Sequence, residues 1–164
     1  MFNWYKREQD KGFPGMKAGS ALDVVDSFQA GAGGLNPGDV AALKDGVAAV
    51  PTDADKAFGV VLHFHKEPAD PYYAEGDTVP VLTFGDVYVT AAADVKAGDP
   101  AAYTVGTGFI KGADTDASGN VYLADAAAGS VVPLRIRNAQ ALVVNTAAET
   151  PAADKAKAGY AVVG

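Results

Sequence analysis

His63 and His65 are the only two histidines in the chain, and they form the tightest cluster of residues that could do chemistry. On a strand, positions two apart point to the same face. Both imidazoles, with Glu67 at the same parity, could then address one metal ion. A second candidate is the polar run Asp114-Thr115-Asp116-Ala117-Ser118-Gly119-Asn120. It offers oxygen ligands at positions one, three and five, Gly at six and Asp125 at twelve, the spacing of a calcium-binding loop. Its flanks, Phe109-Ile110 and Val121-Tyr122-Leu123, read as strands rather than the helices that such a loop requires. A polar hairpin tip accounts for the same residues without an ion.

The order Gly59, His63-x-His65, Glu67, Gly76 is similar to the first metal motif of cupins, which are also β-barrels. The spacing departs from it: Gly59 lies too close to His63, and only one residue separates His65 from Glu67. The second cupin motif needs a further histidine that the chain lacks. The expectation is therefore no metal and no cofactor. His63, His65 and Glu67 are the candidate ligands if that expectation fails, and a solvated or interface face is the alternative for the histidines. With no cysteine, disulfides, thiolate metal sites and cysteine nucleophiles are excluded. No Gly-x-Ser-x-Gly elbow and no P-loop lysine pattern occurs. Gly31-Ala32-Gly33-Gly34 lacks the Rossmann spacing and reads as a joint. The acidic pair Asp53 and Asp55 falls in a Pro/Thr/Ala loop where solvated charge is the ordinary role. The chain is expected to have no catalytic residues.

The elements that would position these residues follow from composition. The 164 residues include 33 Ala, 20 Val, 8 Leu and 2 Ile, with Gly 19 and Pro 9. A core of small side chains with many chain reversals is expected, which argues against a helical bundle and against a wholly disordered chain. A net charge of −7 leaves no surface for neutralising phosphates, so neither nucleic acid nor a membrane surface is an expected partner. There is no apolar run of membrane-spanning length and no signal-peptide pattern at the start.

Along the chain, residues 1–34 read as an arm. Phe2, Trp4, Tyr5, Phe13 and Met16 are bulky, but Lys6 to Gly12 between them is polar, and Pro14-Gly15 breaks the chain. Such aromatics need a surface to cover, in the same subunit or a neighbour. Ala21 to Phe28 fits a short helix or a strand equally. Residues 35–146 alternate in short strands separated by turns about every ten residues. The expected strands include Phe58 to Phe64, Thr78 to Thr83, Val87 to Val89, Tyr103 to Ile110, Val121 to Leu123 and Val132 to Ile136. Gly-Asp at strand borders (Gly38-Asp39, Gly76-Asp77, Gly85-Asp86, Gly98-Asp99) supplies turns, with Gly giving positive φ and Asp accepting from local amides. Residues 147–164 predict a short helix from Thr150 and a last strand Tyr160 to Val163. The fold class is all-β: a small β-barrel or jelly-roll-like sandwich with an extended N-terminal arm.

The ordered set of these pieces resembles one family. Phe13-Pro14-Gly15-Met16-Lys17-Ala18 is followed by Leu35-Asn36-Pro37-Gly38-Asp39, then Phe58-Gly59-Val60. Next come Tyr73-Ala74-Glu75-Gly76-Asp77-Thr78-Val79-Pro80-Val81-Leu82, Gly85-Asp86-Val87-Tyr88-Val89 and Val95-Lys96-Ala97-Gly98-Asp99-Pro100. This succession is similar to the structural cement, or head decoration, proteins of tailed bacteriophages. The resemblance implies a non-enzymatic protein on the outer capsid surface of the virion, present in the host cytoplasm during assembly. It would bridge capsomers and stabilise the head. The implied partners are the major capsid protein and further copies of itself, as a homotrimer or alternatively a dimer. The arm residues Phe2, Trp4, Tyr5, Phe13 and Met16 are the candidate contacts. Two rival readings are a virion-displayed, adhesin-like ligand-binding module using Tyr72, Tyr73 or Tyr103, and a cupin-like metal-binding protein.

Overall fold

A computed structural model describes residues 12–19, 22–52, 55–64, 66–67 and 69–143. These residues form nine strands: β1 (Val24–Ala30), β2 (Val40–Lys44), β3 (Val47–Ala49), β4 (Gly59–Val61), β5 (Thr78–Thr90), β6 (Ala101–Thr104), β7 (Gly108–Lys111), β8 (Val121–Tyr122) and β9 (Val131–Ile136). A single 3-10 turn, Ala139–Ala141, follows.

The strands close on themselves. β1, β3, β2, β4 and β5 are hydrogen-bonded in that order, and β5 returns to β1. Every pairing in this ring is antiparallel except β1 with β3, which is parallel and only two residue pairs long, Gln29 with Val47 and Ala30 with Ala48. The interior holds small side chains, Ala30, Ala41, Ala48, Val61, Val79 and Val81, with Leu35 and Tyr73 as the large ones. An Ala- and Val-rich sequence therefore fills a narrow barrel. Buried Tyr73 keeps its hydroxyl satisfied: it donates to the Leu62 carbonyl at 2.8 Å and accepts from the Phe64 amide at 3.0 Å.

β5 is long enough to serve two cores. Its first half lies in the ring; its second half pairs with β9, and β9 with β8. Between them sits a larger core built on Leu62, Leu82, Val87, Val89, Phe109, Tyr122, Leu134 and Ile136. Val79 and Val81 face the barrel interior whereas Val87 and Val89 face the second core, so the inward side of one strand must change along its length. The register shows where. Val24 opposes Phe84 while Val25 opposes Leu82, leaving Thr83 as an extra residue. The Thr83 hydroxyl donates to the Val24 carbonyl at 3.2 Å. Such a bulge bends the strand and re-aims its side chains.

Several elements differ from expectation. Gly85-Asp86 is not a turn; β5 runs through it. Gly85 has φ +136°, and a Cβ there would stand 2.9 Å from the Cβ of Asp23. Instead of capping a turn, Asp86 accepts both arms of the Arg135 guanidinium at 3.0 Å each from the paired β9. At the other three borders the expected geometry holds. The amides of Asn36, Ala74 and Lys96 donate to the carboxylates of Asp39, Asp77 and Asp99 three residues on, and Gly38, Gly76 and Gly98 carry positive φ.

Residues 24–30, read as part of the arm, are a barrel strand. Most of their side chains are exposed, so membership comes from the main-chain ladder with β5 rather than from hydrophobic pattern. Tyr103 to Ile110 is not one strand but parts of two, β6 and β7, hydrogen-bonded to each other. Lys111 to Asn120 is consequently not a hairpin tip: it connects β7 to β8, whose partner is β9. The helix and strand expected within 147–164 lie outside the described residues.

Candidate functional site

The described end of the arm is an added strand. Gly15 N–H donates to the Tyr88 carbonyl (2.9 Å), Tyr88 N–H to the Met16 carbonyl (2.8 Å), and Ala18 N–H to the Asp86 carbonyl (2.9 Å). Lys17 pairs antiparallel with Val87. Residues 15–18 thus lie along the edge of β5 opposite β9. A fourth bond, from His63 N–H to the Gly15 carbonyl at 2.9 Å, ties the same segment to the residues after β4.

Two Pro-Gly pairs lock this arrangement. Gly15 (φ +83°) and Gly38 (φ +88°) take the left-handed conformation. A Cβ on Gly15 would lie 2.5 Å from Pro37 Cβ, and a Cβ on Gly38 would lie 2.7 Å from Pro14 Cβ. Each glycine therefore makes room for the proline of the other turn. Nothing in the sequence signals this contact, because Pro14-Gly15 and Pro37-Gly38 each mark an ordinary turn on their own.

The interlock holds apolar side chains outward. Phe13 is 47% exposed and Met16 39%. Phe13 meets the His63 ring edge to face, with centroids 5.1 Å apart. Phe13, Pro14, Asn36, Pro37, His63 and Pro71 line an apolar cavity of about 360 Å³. In the Asn36–Asp39 turn, burial pushes the Asp39 carboxyl above its ordinary range, although the bonds from Asn36 pull the other way. The same cap at Thr52–Asp55 behaves oppositely: the contacts of Lys44 and Thr52 lower Asp55 to about 2.

Of the expected contact residues, Phe13 and Met16 are both exposed, Phe13 at the cavity and Met16 in the docked strand, and Phe2, Trp4 and Tyr5 lie outside the described residues. Of the metal candidates, His63 packs on Phe13, Glu67 sits in a bridge with Asp70, and His65 lies outside the described residues. Among the described residues no group of three or more His, Asp or Glu side chains converges on a point that could hold a metal. The calcium-like loop is spent internally. Asp116 accepts from the Ser118 amide and hydroxyl, Asp114 pairs with Lys111, and Asp125 pairs with Lys96. Buried Asn120 accepts the amides of Arg137 and Asn138 and donates to the Asn138 carbonyl. Of the three tyrosines weighed as sugar platforms, two are used in packing and the third, Tyr72, stays 39% exposed. Tyr73 is buried, Tyr103 meets Phe109 edge to face, and Tyr72 donates to the Gly33 carbonyl.

With this geometry in place, comparison with known proteins gives three findings. The family model described as structural cement protein (E217 gp24/Pam3 gp6) matches residues 2–137, most of the chain. A chain of the capsid of Myoviridae phage XM1 is similar with a TM-score of 0.60 and 18% identity, over 85% of this chain and 98% of that one. The head fiber gp8.5 N base of bacteriophage phi29 is similar with a TM-score of 0.50 and 17% identity, over 72% of this chain and 98% of that one. At these identities the two structures share the fold. No curated protein sequence matches.

Proposed function

The chain belongs to the phage structural cement protein family, and on that premise we propose that it binds the outer surface of the capsid, bridges neighbouring capsomers and stabilises the head without catalysing a reaction. Its structural role in the phage head follows from the family; the contact surface is our reading. The observation that carries it is the docked segment: main-chain bonds and interlocked prolines hold Phe13, at a proline-lined cavity, and Met16 in the open. Apolar groups kept exposed at such cost in solvation mark a surface meant to be covered. The residues preceding it, with Phe2, Trp4 and Tyr5, extend the same contact. The partners are the major capsid protein and other copies of this chain, as a homotrimer or a dimer. Many copies on one shell turn modest individual contacts into durable attachment. The net charge of −7 keeps the protein off packaged nucleic acid.

The test mixes the purified full chain with expanded shells of the encoding phage that lack it. The wild type is expected to cosediment at micromolar concentration and to raise the shells' melting temperature. The double variant Phe13→Ala, Met16→Ala should bind at least about tenfold more weakly, the scale of losing a packed apolar anchor, while its circular dichroism is unchanged. Failure of the wild type to bind the shells would overturn the role. Equal affinity of the double variant would overturn only the surface.

A further inference from the structure

The ring of the barrel is closed over only part of β1. Pro80 stands opposite Ser27 and has no N–H, and its carbonyl accepts from Leu62 on the β4 side at 2.9 Å. Ser27 therefore occupies a pair without hydrogen bonds to β5, and its own N–H and C=O point away from that strand. By the period of two, so do those of Val25 and Gln29. Thr83 agrees with this phase, since its hydroxyl reaches the Val24 carbonyl on the β5 side. β3 takes up the outward edge only from Gln29 onward, where the Gly31 N–H donates to the Ala48 carbonyl. The outward groups of Val25 and Ser27 have no main-chain partner among the described residues. Leu22, Val24 and Val25 beside them are 80%, 46% and 38% exposed. An open edge with apolar side chains invites a further strand.

We propose that a second copy of this chain supplies that strand, β1 pairing antiparallel with β1 of its neighbour about a two-fold axis at Val25. The sequence Leu22-Asp23-Val24-Val25-Asp26-Ser27-Phe28 is complementary to itself in that register. Val25 exchanges two hydrogen bonds with its counterpart. Leu22 meets Phe28, Asp23 meets Ser27, and Val24 meets Asp26, so each acid faces a neutral residue and the most exposed leucine faces an aromatic ring. Moving the axis one residue to Asp26 sets two carboxylates directly opposite in the closest type of pair and pushes residue 23 against Gln29, whose edge β3 already holds. The contact is isologous and closes at two chains. It uses a different edge from the Phe13 surface, so a dimer of this kind leaves both copies of that surface free.

The experiment needs the full-length protein alone. The wild type at about 100 µM should show a dimeric mass by light scattering. Val25→Cys, in a chain with no other cysteine, places two thiols across a pair whose Cα atoms lie roughly 5.5 Å apart, within disulfide reach. It should form a covalent dimer on mild oxidation, while Leu43→Cys, on another strand, should not. Val25→Pro removes the outward N–H, which makes no bond to β5, and fixes φ at that residue; it should yield monomer with an unchanged far-UV spectrum. A monomeric or trimeric wild type overturns the proposal. So does a Leu43→Cys variant that cross-links as fast as the Val25→Cys variant. If the wild type is monomeric and Val25→Pro abolishes shell binding, the edge belongs to a strand of the shell instead. If Val25→Pro does not fold, the two cysteine variants decide alone.

Discussion

The second half of β5 has two neighbours, and they are held in opposite ways. On one edge β9 makes six residue pairs, Gly85–Ile136 through Thr90–Val131, and buries Val132, Leu134 and Ile136. On the other edge residues 15–18 make three main-chain bonds to Asp86 and Tyr88 and leave Phe13 and Met16 in solvent. The β9 side spends its side chains on the core. The docked side relies on main chain, on the fit of Pro14-Gly15 into Pro37-Gly38 and on the ion pair of Lys17 with Asp23, and it leaves Phe13 and Met16 largely open to another surface. One strand thus serves as a core element and as a landing edge.

The contrast breaks most sharply at Leu134. Truncation to Ala at this fully buried site should cost about 2–5 kcal/mol of unfolding free energy, read from urea denaturation, with loss of both β9 and the domain. The matching change on the other edge is Gly15→Ala. Its Cβ meets Pro37, and the positive φ is strained, a local cost of about 1–3 kcal/mol. The expected outcome is faster amide exchange at residue 15, Ala18 and Tyr88, with little change in the urea midpoint of the β-domain. A global loss as large as that of Leu134→Ala would show that the docked segment belongs to the cooperative core.

The smallest effect concerns the two capped turns, one under the docked segment and one remote from it. Asp55 is lowered to about 2, below its unfolded value of about 3.9. Its contribution is present above pH 4 and is lost as pH falls toward 2. Asp39 is raised, so the native state binds its proton more tightly than the unfolded chain. It costs stability at neutral pH, and that cost disappears as pH falls below the unfolded value. Thermal melts should therefore show a shallower acid decline for Asp55→Asn than for wild type. Asp39→Asn should gain on wild type as pH rises above 4, which makes its own acid decline the steeper of the two. A shallower acid decline in Asp39→Asn would reverse the assignment.

What the residues disclosed beforehand follows the same division. β9 was legible because Val132, Leu134 and Ile136 alternate strictly with Pro133, Arg135 and Arg137, the mark of one buried face. β1 was not, since Val24 to Ser27 are all exposed and only their main chain is used. The Gly-Asp rule described three turns and failed at Gly85-Asp86, where a guanidinium on the neighbouring strand competes for the carboxylate. For the candidate surface, the sequence singled out Phe13 and Met16 by their bulk in a segment without a core. It could not reveal that His63, a metal ligand only if the expectation of no metal failed, would pack against Phe13, because that contact depends on two Pro-Gly turns 23 residues apart meeting in space.

The antiparallel seating of residues 15–18 has a mechanical consequence. A pull on Gly12 directed along β5 loads the bonds at Gly15, Met16 and Ala18 together, in shear. The same pull at right angles to the sheet opens them one after another, starting at Gly15, where the His63 amide provides a second hold. Force carried through the N-terminal segment would therefore be resisted well in one direction and poorly in another, a grain set by the direction of the docked strand.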